Sequence, residues 1–225
     1  MDKVISVAAN ANEVSAYVDR NRVIRNTYLL LSMTLFFSAL AAGISLVFQL
    51  HHPGLLITLV GYFGLLFLTT KFRNSSIGLV TVFALTGFMG YTLGHILNAY
   101  LSMPNGEQTV MLAMGITAAT FMGLSAYAFI SRKDFSFMGG FLAIGILVAF
   151  LMGLGSIFFE LPGLSLAVSS VFVLLMAGLI LYETSSIING GETNYIMATV
   201  TLYVSVFNLF TSLLHLLGFA NGEEA

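Results

Sequence analysis

Few side chains in this sequence can do chemistry, and most of them gather in its last third. Glu183 and Glu192 stand in LYETSSIINGGETNYI, at the end of a long apolar run. An ionisable group carried by an apolar helix is a candidate for proton sensing or for meeting a cation. Past Asn194, the residues Thr201, Ser205, Asn208, Ser212 and His215 recur at spacings of four, three, four and three. That spacing puts them on one face of a helix. Such a face cannot look into hydrocarbon, because each unpaired polar group there costs free energy. It either packs on other helices with its hydrogen bonds satisfied or lines a wet path. The residues alone leave both open, so Glu183, Ser205, Asn208 and Ser212 are ion-path or pH-sensor candidates. Glu183 lies about five residues before the expected helix end, roughly 7 Å inside the boundary at 1.5 Å per residue. There its carboxylate is either buried or reaches interfacial water.

Other chemistries find little support. His51 and His52 are adjacent and so lack helix spacing for a shared metal, while His95 and His215 stand alone. The only aspartates are Asp2, Asp19 and Asp134, which leaves no acid near His95 or His215 for a hydrolytic triad. There is no GxSxG, HExxH, phosphate loop or calcium-loop pattern. Cysteine is absent, which removes disulfides and thiolate chemistry. The expectation is no catalytic residue, no cofactor, no metal and no enzyme activity.

The elements that position these residues are dictated by composition. The chain has 225 residues, 58% of them hydrophobic and only 8% charged, with a mean hydropathy of +0.96. A soluble domain carries about 25% charge, so this surface faces lipid. A net charge of −2 and no basic patch argue against a nucleic-acid partner. A membrane span needs about 20 apolar residues. Runs of that kind cover 28–50, 55–70, 77–101, 110–130, 137–159, 164–188 and 195–219. HHPG, KFRNSS, SMPNGEQT, SRKDFS, ELPG and the INGGETN stretch separate them. The fold class is therefore an all-α integral membrane bundle of seven transmembrane helices. Residues 1–27 read as a polar, flexible cytoplasmic tail without a signal-peptide core, and residues 220–225 as a short tail on the other side.

With alternating spans, Lys3, Arg20, Arg22, Arg25, Lys71, Arg73, Arg132 and Lys133 all fall on one side. The positive-inside rule makes that side the cytoplasm and puts the C-terminus in the periplasm. Small residues mark helix faces for close packing: Gly87, Gly90, Gly94 with Asn98 on the third run, Gly115, Ala119, Gly123, Ala126 on the fourth, and Gly145, Ala149, Gly153, Ser156 on the fifth. The polar face of the seventh run makes that helix central.

Several uncommon polar strings occur in order: SRKDFSFMGG at 131–140, LYETSSIINGGETNYI at 181–196 and LYVSVFNLF at 202–210. With RNTYLLLSMTLFFSAL and ALTGFMGYTLGHILNAYL, they make the chain resemble the Bax inhibitor-1 (transmembrane Bax inhibitor motif) family over essentially all its spans, and its proteobacterial branch in particular. The resemblance implies seven helices with the last surrounded by the other six. It implies a bacterial inner-membrane protein that binds and slows the membrane-bound FtsH protease. It also implies an alternative, a pH-sensitive calcium leak. Leak members carry an acid on each of the last two helices and a basic latch near the end of the second. Glu183 matches the first acid, Ser205 stands at the second, and Lys71 or Arg73 stands near the latch. A shared-proton pair needs two carboxylates, so the serine departs from the leak pattern and favours the protease-modulator branch.

Overall fold

The computed structural model describes the backbone of residues 2–51 and 53–223, and the side chains of 18–51 and 53–221. The described chain forms seven α-helices: α1 Asp2–Val47, α2 Leu55–Phe72, α3 Ser76–Leu101, α4 Gly106–Ser131, α5 Gly139–Phe158, α6 Pro162–Asn189 and α7 Tyr195–Glu223. A short 3-10 turn, Ser136–Met138, leads into α5. Every helix is long and apolar enough to cross a membrane. Their outer faces carry large apolar side chains, among them Leu56, Phe67, Phe141 and Leu174. Such a surface is stable only against hydrocarbon, and the protein is an all-α membrane bundle.

The breakers act where the sequence puts them. Pro162 opens α6 at a position where its missing N–H costs nothing. Gly190 closes α6 at φ 79°, a left-handed conformation that glycine adopts without a Cβ penalty. The Gly191 N–H then donates to the Ser186 carbonyl at 2.8 Å. The helices at both ends run past the apolar runs. Helix α1 starts at Asp2, and its apolar span begins at Val18. No glycine or proline interrupts the chain before Gly43, and polarity decides whether a helix enters lipid, not whether it forms. Helix α7 likewise continues to Glu223.

Helix α7 is central. It contributes to all three apolar clusters: Ile196, Val200 and Leu202 meet α1 and α3, Leu209 meets α5 and α6, and Leu214 meets Ala113 of α4. None of its residues from Tyr195 to Gly218 is exposed. Its main neighbours are α1, α3, α4 and α6, while α2 packs chiefly on α3 and α5 chiefly on α6. The outer helices therefore fall into two groups, α1–α3 and α4–α6, closed around α7. The α1 and α4 backbones stay apart, with the Tyr28 ring reaching Phe121 and Phe129 across the gap. On the opposite seam Phe63 of α2 meets Phe150 of α5 edge-on at 5.6 Å.

Two of the three small-residue stripes are packed. A Cβ on Gly90 would run into the Ser38 carbonyl oxygen, and one on Gly94 would lie 2.5 Å from Ser45 Cβ, so α3 lies directly on α1. Gly145 of α5 faces Leu175 of α6. The α4 stripe is the exception: Gly115, Ala119, Gly123 and Ala126 are exposed, and the packed face uses Ala113, Thr117, Ser125 and Ala128. Asn98 also turns outward.

Candidate functional site

The polar strings of the sequence meet at one end of the bundle. The α2–α3, α4–α5 and α6–α7 connections and the polar part of α1 all lie there. Asn194 caps α7: its Oδ1 accepts from the Ile196 and Met197 N–H groups, both at 3.0 Å. Its Nδ2 donates to the Arg73 carbonyl at 3.1 Å and to Asn74 Oδ1 at 2.7 Å, which fastens the α2–α3 turn to α7. Glu192 accepts from the Asn194 N–H at 2.6 Å, so this carboxylate stabilises the turn. Ser185 fastens the α4–α5 turn to α6: its hydroxyl donates to the Lys133 carbonyl at 2.8 Å and accepts from the Phe135 N–H at 3.1 Å.

Glu183 lies one helical turn and more inside α6 from this end. It is only 5% exposed, so its carboxylate does not reach interfacial water. Oε1 has no hydrogen-bond partner among the described residues. Next to it, the Tyr28 hydroxyl of α1 is 3.2 Å from Thr184 Oγ1, and the buried Ser125 of α4 lies beside the same tyrosine. A buried carboxyl with an unpartnered oxygen, on an apolar helix, can hold a proton. A cavity of about 960 Å³ opens at the same end, between α1 and the α6–α7 turn, with Asp19, Arg22, Asn26, Asn189 and Glu192 in its walls.

The remaining candidates are not gathered round Glu183. Lys71 and Arg73 are exposed, and Lys71 Nζ lies 5.7 Å from the Phe72 ring centroid. Neither is paired with Glu183 among the described residues, since α2 packs on α3 rather than α6. Ser205 is fully buried and donates to the Thr201 carbonyl of its own helix at 2.7 Å. Asn208 Nδ2 donates to the Val204 carbonyl at 2.8 Å. Ser212 is half-buried farther along α7, and the Ser169 hydroxyl of α6 lies 2.8 Å from His215 Nδ1. The polar face of α7 thus spends much of its hydrogen bonding on its own backbone and on α6. Sequence reasoning passed over Tyr28, Ser125, Thr184 and Ser185. Thr184 and Ser185 sit inside the ETSSIIN string, directly after the acid; Tyr28 and Ser125 carry no local signal.

Comparison with known proteins agrees with this architecture. A family model described as "Inhibitor of apoptosis-promoting Bax1" matches residues 20–222. The modulator of FtsH protease YccA of Escherichia coli K12 is 51% identical over 223 residues, covering 99% of this chain and 100% of that protein. An uncharacterised protein of Pseudomonas aeruginosa is 52% identical over 97% of this chain and 96% of its own length. An uncharacterised membrane protein of Vibrio cholerae is 45% identical over 92% of this chain and 93% of its own. With a family match that runs from the start of the first span to the end of the last, on a bundle whose seventh helix is central, the chain belongs to the Bax inhibitor-1 family.

Proposed function

We propose that this protein resides in the bacterial inner membrane, binds the membrane-bound FtsH protease and slows its degradation of other membrane proteins. The observation that carries this reading is the end-to-end identity of 51% with the Escherichia coli protein named a modulator of that protease. A relative from Escherichia coli O6:H1, also 51% identical over 223 residues, bears the name inner membrane protein. On this reading the protein modulates by contact and has no catalysis of its own. Every lysine and arginine from Arg20 onward lies at the bundle end where the α2–α3, α4–α5 and α6–α7 turns meet. That asymmetry supports a cytoplasmic N-terminus and a periplasmic C-terminus. Degradation of a membrane substrate by FtsH, followed with and without overproduction of this protein, tests the reading. Slower decay is expected, and an unchanged half-life contradicts it.

The buried, unpartnered Glu183 oxygen supports a second reading, a proton-gated cation leak through the α6–α7 region with calcium or protons as the permeant ion. Ser205, Asn208 and Ser212 would line it and Lys71 or Arg73 would latch it. Liposomes loaded with a calcium dye decide between them. The leak reading expects flux that changes in Glu183→Gln; equal flux in both proteins removes Glu183 from any path.

A further inference from the structure

The α1–α4 seam contains a cleft of about 460 Å³. Its floor is the central helix, through Tyr203, Phe207 and Phe210, and Leu97 of α3 forms part of its wall. Its mouth is formed by Ala39 and Gly43 of α1 and by Ala118 and Met122 of α4, all exposed on the outer surface. Ala39, Ala118 and Met122 sit well inside their spans, Val18–Val47 and Gly106–Ser131, and Gly43 lies within the last turns of the first. The mouth therefore opens at the depth of the hydrocarbon.

Polar groups in the lining are already satisfied. The Ser38 hydroxyl is 2.6 Å from the Tyr203 hydroxyl, which also lies 3.2 Å from the Thr86 carbonyl oxygen. Thr117 donates to the Ala113 carbonyl at 2.7 Å. No group there asks for water, and an apolar cavity without such groups stays dry. Left empty, its walls would forgo the dispersion contacts that close-packed interiors make. Small residues hold the mouth open: a Cβ on Gly43 would meet nothing within 4 Å, whereas Gly90 and Gly94 on α3 are closed against α1. The volume is that of a small-ligand site, and the only abundant matter at its mouth is acyl chain.

We propose that the α1–α4 cleft holds an acyl chain of a bilayer phospholipid, which enters side-on and lies against α7. The lipid is then part of the packing of the central helix. The opposite seam does not share the argument, because Asn208 places an amide in its cavity.

The chain contains no tryptophan, so a single introduced one reports on its surroundings. Phe210→Trp puts the indole on the cleft floor, and Met122→Trp puts one at the mouth. Each full-length protein is reconstituted in phospholipid brominated along its acyl chains, which quenches indole on contact. Quenching of Phe210→Trp approaching that of Met122→Trp is expected, with most of it lost when Ala118→Phe narrows the cleft. An unquenched Phe210→Trp beside a quenched Met122→Trp overturns the proposal, as does quenching that survives Ala118→Phe. If Phe210→Trp does not fold, Leu97→Trp on the cleft wall gives the same readout.

Discussion

At the residue scale, the hydroxyl and amide groups that join distant segments matter more than the charges. Ser185 is the clearest case, since one hydroxyl both gives and receives across a separation of about 50 residues. Ser185→Ala takes away the acceptor of the half-buried Phe135 N–H and leaves the Lys133 carbonyl only the 3.4 Å contact from Asn189 Nδ2. The expected loss is about 1–2 kcal/mol, read as a lower melting temperature of the purified protein. Ser170→Ala is the control: that exposed hydroxyl only bonds the Leu166 carbonyl of its own helix, and no measurable change is expected. Glu183 was legible as the notable acid because it ends an apolar run. Its neighbours were not. Tyr28 meets Thr184 across 156 positions, and nothing in the local sequence of either residue encodes that meeting. The fate of Ser205 and Asn208 was likewise open in the sequence, because a polar face on a helix looks the same whether it bonds backward to its own carbonyls or lines water.

At the element scale, the helices were readable because the breakers are strong and the runs long. HHPG, PNG, ELPG and NGG each end or begin a helix within a few residues of the expected position. Which small residues pack was only partly readable. Glycine and alanine permit close approach but do not compel it, so the α3 and α5 stripes are covered while the α4 stripe faces outward. The two situations respond differently to one added methyl. Gly90→Ala pushes a Cβ into the Ser38 carbonyl and forces α1 from α3, with a cost of about 1–3 kcal/mol. Gly123→Ala meets nothing within 4 Å and is expected to stay within about 0.5 kcal/mol of the parent. Thermal melts of the two variants check the contrast; equal losses would mean that α4 is covered in the membrane.

At the scale of the whole molecule, α7 joins two three-helix groups, and the α2–α3, α4–α5 and α6–α7 connections gather at one end. The described basic residues mark that end, and the absence of cysteine makes its sidedness measurable. Asn74→Cys and Asn105→Cys place single thiols at opposite ends. An impermeant maleimide added to intact cells is expected to label Asn105→Cys and to leave Asn74→Cys unlabelled until the membrane is opened. The reverse pattern would place the polar end in the periplasm and contradict the proposed orientation. The account places the partner protease in the same membrane, and co-purification tests that most directly. The protein is extracted in mild detergent from cells that contain FtsH and recovered on an affinity tag, with an unrelated polytopic protein as control. The account predicts FtsH enriched with this protein and not with the control; FtsH at equal background in both would contradict it.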